Sequence, residues 1–150
     1  MRVGYKKSRN AALTTTAARS VLMASVRQRG TGAELAVRQI LRRLGIRFRS
    51  NVASLPGRPD VCATEAGVAI FVHGCFWHRH QGCKAASTPR TNAEFWTAKF
   101  DANMRRDRAK TRALRRLGLK VLVVWECQTR NPAKLERLKA RLEKVLNKVS

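Results

Sequence analysis

Hydrophobic residues recur along the chain at two different spacings, and these spacings predict where helices and strands form. Val37, Ile40 and Leu44 share one helical face, which predicts a helix over Ala33–Leu44 that ends at Gly45. By the same reasoning a shorter helix precedes it and two more follow later. These are Ala17–Gln28, a helix that begins at Thr91 with a capping box of Thr91 and Glu94 and ends near Leu117, and a last helix that begins at Pro132 with Asn131 as its cap.

Shorter stretches, either alternating or continuously apolar, predict the strands. Ile46–Val52 alternates apolar and basic residues, as a half-exposed strand does, whereas Leu119–Trp125 is an apolar run typical of a buried strand. Asp60–Thr64 and Val68–His73 lie between them and are joined by a tight turn. The resulting order, α-β-β-β-α-β-α, predicts an α/β fold with a central mixed sheet flanked by helices.

The charge of the chain indicates a polyanionic partner. Lys and Arg number 32 against 9 acidic residues, a formal net charge of +23, while 44% of the residues are hydrophobic. This combination predicts a folded protein that binds DNA or RNA phosphates, with a ribosome-associated protein or an acidic membrane surface as alternatives. The length of 150 residues predicts a monomer with a flexible basic arm over residues 1–16 and one domain over residues 17–150.

The four cysteines are expected to be thiols or metal ligands. No apolar run approaches the ~18 residues that span a bilayer and no secretory signal is evident, so we expect a cytoplasmic protein without a membrane role, where disulfides are rare. Cys75, His80 and Cys83 share one polar loop, and Cys127 follows a strand that a parallel pairing would bring alongside. This set predicts a structural zinc site, against the alternative of unrelated buried thiols. Cys62 lies within a strand and is expected to pack in the core.

A carboxylate and two imidazoles form a second candidate site. Asp60 opens a strand in a very basic protein, which favours a Mg²⁺ ligand, although Asp also commonly caps a turn. His73 and His78 follow the neighbouring strand, where one is a candidate general base and the other a candidate donor to a phosphate oxygen. A structural role for either histidine is the alternative.

Large rings beside these histidines are candidates for contact with DNA. Phe76 and Trp77 fall in a loop with no period that would bury them, and Trp96 is near the start of a helix. Such rings stack on bases or enter between base pairs. The alternatives are that they fill space around the zinc loop and that Trp96 belongs to the core, where Trp125 is also expected.

Four segments, SLPGRPD, AIFVHGCFWHRHQGC, TPRTNAEFW and LVVWEC, resemble in order and spacing the very short patch repair (Vsr) endonucleases. The resemblance implies a restriction-endonuclease-like core with a structural zinc. It also implies a Mg²⁺-dependent nick 5′ to the thymine of a T:G mismatch, which initiates repair of deaminated 5-methylcytosine. The lysine usual in related nucleases is absent from IFVHG, so the resemblance assigns proton transfer to histidine.

The resemblance also implies a role for individual residues. Asp60 and the backbone carbonyl of Val72 would hold Mg²⁺, with Glu34 acting through a metal-bound water. His78 would be the base and His73 its phosphate-side partner. The zinc ligands would be Cys75, His80, Cys83 and Cys127. An aromatic wedge of Phe76, Trp77 and Trp96 would enter the DNA from one groove, and the apolar side chain of Met23 would enter from the other. Asp107 would support the active-site histidine.

The implied partner is double-stranded DNA with a T:G mismatch, with mismatch-repair proteins as further candidates and the nucleoid as the place of action. Two other functions stay open at this point. One is a related DNA nickase with a different target, associated with restriction or a mobile element. The other is a zinc DNA-binding module without catalysis.

Overall fold

The computed structural model describes residues 31–147. The elements of this region follow the predicted order of helix, three strands, helix, strand and helix. They are α1 (Gly32–Arg43), β1 (Arg49–Ser50), β2 (Val61–Ala63), β3 (Val68–His73), α2 (Ala93–Arg116), β4 (Lys120–Trp125), a 3-10 turn (Glu126–Thr129) and α3 (Pro132–Asn147). The predicted basic arm, the predicted helix Ala17–Gln28 and the candidate Met23 lie outside the described residues. Among residues 31–147, no helix is long and apolar enough to cross a membrane.

The four strands form one mixed sheet in the order β1-β2-β3-β4. β1, β2 and β3 pair antiparallel, as expected of a meander. β3 and β4 pair in parallel over their full length, from Val68 opposite Lys120 to His73 opposite Trp125. The parallel pairing requires a crossover, which α2 provides. The α/β class with a mixed sheet is therefore confirmed.

Helices cover both faces of the sheet, because residues of β3 alternate between the two faces. Val68 and Ile70 are fully buried on the face that packs against α1 and α3. Ala69 and Phe71 point to the other face, where they pack against Leu114 of α2. The sheet is thus the middle of three layers, and the residue after Val72 falls on the face of α2.

Two helix ends follow the sequence closely. Gly45 adopts a left-handed backbone (φ 71°), and the Ile46 N–H donates to the Leu41 carbonyl at 2.9 Å, as a glycine-terminated helix requires. At α3, the Asn131 Oδ1 atom accepts a hydrogen bond from the Lys134 N–H at 2.9 Å.

The predicted capping box of α2 is wrong. The helix begins at Ala93, and Asn92 is its N-cap, with a left-handed backbone (φ 57°). The Asn92 carbonyl accepts the first helical hydrogen bond, from the Trp96 N–H at 3.1 Å. A shift of one residue places Glu94 in the second helical position, and a capping box needs its acid in the third.

The first predicted strand is much shorter than expected. Within Ile46–Val52 only Arg49–Ser50 pairs as a strand, because Asn51 turns to a left-handed backbone (φ 48°). The chain nevertheless stays bonded to the segment before β2, since the Asn51 N–H donates to the Asp60 carbonyl at 2.9 Å. This bond fixes the backbone of Asp60 beside the sheet.

Candidate active site and metal centre

The Asp60 carboxylate lies against the backbone of β3. Its Oδ2 atom accepts a hydrogen bond from the Val72 N–H at 2.7 Å, a contact between residues 12 positions apart. Antiparallel pairing of β2 with β3 produces this contact, because Val61 lies opposite Ile70 and Asp60 therefore comes level with the end of β3. The acid is thus held next to Val72, one residue before His73.

Burial makes the ionised form of Asp60 unfavourable. The pKa of this carboxyl is raised to about 6, mainly by burial. The charge of Glu34 adds to this rise, and the Val72 hydrogen bond opposes it. Glu34 comes from the first turn of α1, is 2% exposed and pairs with Arg38 at 3.4 Å. The structure therefore brings two carboxylates together in a poorly solvated place, a donor set that suits a hard divalent cation.

His73 and His78 form a stacked pair. Their ring centroids are 3.9 Å apart and their planes differ by 8°. Burial, together with the charge of the neighbouring His78, lowers the pKa of His73 to about 4. His73 is therefore a neutral imidazole at physiological pH.

His78 is bound to an acid from another element. Its Nδ1 atom lies 2.6 Å from Oδ2 of Asp107 in α2. Burial alone would raise the pKa of Asp107, but the hydrogen bond to His78 and the charge of that ring outweigh it and lower the pKa. Because an ionised carboxylate only accepts, Nδ1 carries a proton in either state of the ring, and in the neutral ring Nε2 presents its lone pair. This arrangement suits a general base.

His73, His78 and Asp107 also have their ligand atoms within 4.8 Å of one another. Imidazole lone pairs lie in the ring plane, so two parallel stacked rings do not direct them at one ion. The Nδ1 atom of His78 and an oxygen of Asp107 are moreover engaged with each other. The geometry therefore favours proton transfer over metal binding by these three residues.

A second cluster brings together the four predicted zinc ligands. The ligand atoms of Cys75, His80, Cys83 and Cys127 all lie within 4.8 Å of one another. Nδ1 of His80 is 3.7 Å from Sγ of Cys75 and 3.4 Å from Sγ of Cys127. Ligand atoms about 3.5–4 Å apart are what a tetrahedral site with bonds of ~2.0–2.3 Å requires. The alternative of scattered thiols is wrong, and Cys62 is buried in its strand outside this cluster, as predicted.

The cysteine cluster is assembled by the parallel pairing of β3 and β4. Cys75 follows β3 by two residues, and Cys127 lies in the 3-10 turn directly after β4. The His80 ring stacks on Trp125 at 4.3 Å, which orients the imidazole. Burial raises the pKa of Cys75 to about 12, so its thiolate forms at neutral pH only when a cation stabilises it.

The predicted wedge residues differ in exposure. Phe76 and Trp77 are partly exposed, with ring centroids 5.2 Å apart. Trp96 is only 2% exposed and packs against both of them, so its ring supports the other two and presents no face to bases in this conformation. Phe95 is 45% exposed beside Trp96.

Arg79 is a further residue that the sequence reasoning missed. Its guanidinium lies 4.0 Å from the centroid of the Phe100 ring. It donates hydrogen bonds to the carbonyls of Phe76 (3.3 Å), Ala86 (2.8 Å) and Ser87 (3.1 Å) and to Oγ1 of Thr88 (2.9 Å). Arg79 thus joins the ring-bearing loop to the segment after Cys83. Its position between two histidines is the sole sequence signal, and it does not indicate these partners.

Comparison with known proteins connects this site with a function. A family model described as DNA mismatch endonuclease Vsr matches residues 11–84. The DNA mismatch endonuclease Vsr of Escherichia coli strain K12 is 44% identical over 129 residues, which cover 85% of this chain and 82% of that protein. The type II nicking enzyme V.XorIIP of Xanthomonas oryzae pv. oryzae is 41% identical over 129 residues, covering 86% and 92% of the two chains. The type II nicking enzyme V.NmeAIP of Neisseria meningitidis serogroup A is 37% identical over 119 residues, covering 79% and 84%.

These relatives match along most of their own length and along most of this chain. The resemblance seen in the four sequence segments is confirmed. The chain is accordingly a DNA nicking endonuclease and belongs to the Vsr family.

Proposed function

We propose that this endonuclease nicks double-stranded DNA 5′ to the thymine of T:G mismatches in a Mg²⁺-dependent reaction, and so initiates repair of deaminated 5-methylcytosine. The observation that carries this proposal is the position of the Asp60 carboxylate on the Val72 N–H, one residue before the stacked His73–His78 pair. An acid that holds a metal and a base that activates water are the two requirements of metal-assisted phosphodiester hydrolysis.

The residues divide this chemistry between them. Asp60 and the Val72 carbonyl would hold Mg²⁺, with Glu34 reaching it through a water. When bound, Mg²⁺ supplies positive charge at the scissile phosphate. His78 accepts the proton of the attacking water at Nε2, while Asp107 keeps the ring in the required tautomer and stabilises it once protonated. His73, neutral through burial, donates its N–H to a phosphate oxygen.

Selection of the mismatch is assigned to the exposed rings. Phe76 and Trp77 enter the DNA beside the T:G pair, supported from behind by Trp96, and Met23 would enter from the other groove. A wobble pair costs less to distort than a matched pair, so deformability contributes to selectivity. The Escherichia coli relative, whose name specifies a mismatch endonuclease, supports this assignment.

A restriction-associated nickase with another target is the second candidate. It is favoured by the relatives named as type II nicking enzymes, two of which match most of this chain. The two candidates share the catalytic residues and differ in the DNA that they cut.

Nicking of defined duplexes separates the candidates. We expect cleavage of a T:G duplex in Mg²⁺ at least tenfold faster than that of the matched duplex or of other mismatches, measured on labelled strands in a denaturing gel. Equal cutting of matched DNA would favour the restriction-associated candidate. No product on any duplex would reject both in favour of a non-catalytic module.

Asp107→Asn is expected to slow nicking roughly 10–100-fold, because the amide cannot stabilise the protonated His78 ring. Asp101→Asn is the matched control, since it is an exposed acid of the same helix away from the site. Single-turnover rates at saturating enzyme measure the effect. A variant at 107 as fast as the control would remove Asp107 from the mechanism.

Asp60→Asn is expected to stabilise the protein without divalent cations, since it removes a buried charge and keeps an acceptor for the Val72 N–H. Folding raises the pKa of Asp60 from 3.8 to about 6, which corresponds to about 3 kcal/mol in the free energy of unfolding. The ionised group lowers stability fully above about pH 6, and the penalty disappears as pH falls below 3.8, where the carboxyl becomes protonated in both states.

Urea unfolding at several pH values tests this expectation. The stability gain of Asp60→Asn should be largest near neutral pH, vanish in acid and shrink when Mg²⁺ stabilises the parent alone. The same variant should not nick DNA. A variant no more stable than the parent at neutral pH would argue against an unfavourably buried carboxylate, and retained nicking would reject the metal-ligand role.

We propose that the cysteine cluster holds one structural Zn²⁺. Cys83→Ser should then lose the bound metal and lower the thermal midpoint, because a Cys₃His site contributes directly to folding. Cys62→Ser, a cysteine outside the cluster, should keep one metal per chain. Metal content by plasma mass spectrometry and calorimetry give both readouts. If the parent and the Cys83→Ser variant were equally stable and neither bound metal, a structural site would be contradicted.

A further inference from the structure

A cleft of about 500 Å³ opens beside the histidine pair, between α2 and β4. His73 and His78 border it at one end, and Trp125 contributes its wall on the side of the sheet. The opposite wall is α2, whose contribution is mainly basic. The candidate catalytic histidines therefore border an open space whose basic wall has no role in the proposed mechanism.

The basic wall consists of Arg108, Arg112 and Arg115. Four- and three-residue spacings put the three guanidinium groups on one face of the helix, over ~10 Å of its length. All three side chains are exposed. Within residues 31–147, no ion pair involves any of them.

Neighbouring like charges on one helical face destabilise a helix by a small amount, so an anion bound along this row would offset that cost. The cleft offers none from the described residues: Asp107, the carboxylate among its lining residues, already binds His78. The Nε atom of Arg108 donates to the Met104 carbonyl at 3.4 Å, which leaves the two terminal nitrogens of that guanidinium for a ligand. A row of free guanidinium groups suits phosphate oxygens, which arginine binds in a bidentate manner.

We propose that this cleft binds consecutive backbone phosphates of the nicked strand next to the scissile phosphate, with Arg108, Arg112 and Arg115 as their ligands. Phosphates of one strand follow one another by ~3.4 Å along the helix axis and lie farther apart along the backbone itself, so ~10 Å of basic wall meets about two of them. The inference rests on the proposed function in one respect, that hydrolysis takes place at His78.

The arginine row would position the strand as well as bind it. Phosphate contacts set the register of a protein on a duplex without reading its sequence. Since the row begins one residue after Asp107, the strand would be held by the same helix that orients the base. The Arg residues are therefore assigned to positioning, and the chemistry stays with His78.

Alanine variants with matched controls test the cleft. Arg108→Ala is paired with Arg106→Ala, because Arg106 is exposed on the same helix, donates its Nε to the Ala102 carbonyl at 3.4 Å and does not line the cleft. Arg112→Ala is paired with Arg116→Ala, which is also exposed and also outside the lining. Each pair removes the same charge from the same helix.

Binding of the full chain is measured to a duplex in Ca²⁺, without cleavage, over a range of salt concentrations. Each cleft variant should weaken binding about tenfold and reduce the slope of log K against log salt by ~0.9, the value of one phosphate contact. The controls should change the slope by less than half as much. Equal effects in both members of a pair would overturn the proposal, since the arginines would then act only through net charge.

Neutral methylphosphonates locate the contacted phosphates. Each is placed singly within three nucleotides on either side of the scissile phosphate, and the loss of DNA affinity caused by Arg112→Ala is measured again. This loss is the penalty of the variant. The penalty should disappear at one position on the nicked strand and persist at the others. Persistence at every position would reject the cleft.

These measurements separate the failure of this inference from that of the proposed function. They require no cleavage, and the salt measurements apply equally to matched and T:G duplexes, because phosphate contacts do not depend on sequence. If the penalty of Arg112→Ala persists at every methylphosphonate position while T:G nicking is intact, the cleft alone is rejected. If a methylphosphonate removes the penalty of Arg112→Ala but the protein cuts DNA without mismatch preference, the cleft is supported and T:G specificity is rejected.

Discussion

β3 and β4 run parallel along their whole length, so the chain leaves both strands at the same edge of the sheet. Two sites depend on this single pairing. Cys75 and His80, which follow β3, lie next to Cys127, which follows β4, so the cysteine cluster forms beyond this end of the two strands. On the face covered by α2, the same edge places His73 and His78 next to Asp107. Antiparallel pairing here would direct the two following segments to opposite ends of the sheet and assemble neither site.

Electrostatic cost is concentrated where charged ligands are expected. Burial raises the pKa of Asp60, and the nearby charge of Glu34 raises it further. The arginine row along α2 likewise sets like charges next to one another. In the isolated chain both arrangements are unfavourable, and in each case the proposed ligand has the opposite sign: a divalent cation for the acids and a phosphate for the arginines. The unbound protein is therefore less stable than its fold would allow, which is typical of functional sites.

Sequence reasoning succeeded where one residue type meets one local requirement. Gly45 and Asn131 end and begin helices because their own conformations and side chains suffice. The cysteine cluster was predictable because metal-binding residue types in one polar loop have few other uses. Local signals were insufficient at the start of α2, where both Thr91 and Asn92 are plausible caps and tertiary packing places the first turn after Asn92. The sequence did not indicate the partners of Arg79 or of the arginine row, because these depend on elements far apart in the chain.

The six residues from Cys75 to His80 serve three purposes at once. Cys75 and His80 belong to the cysteine cluster, Phe76 and Trp77 carry the exposed rings, and His78 is the candidate base. Hydrogen bonds inside the loop, His78 N–H to the Gly74 carbonyl at 3.1 Å and His80 N–H to the Cys75 carbonyl at 3.0 Å, leave little freedom between these groups.

Arg79 restricts the loop from outside by its bonds to Ala86 and Ser87. In the proposed mechanism, a displacement of the rings by DNA would be transmitted to His78 within one or two residues. Mismatch selection by the rings and positioning of the base would then be coupled, because both groups lie between two residues of the cysteine cluster.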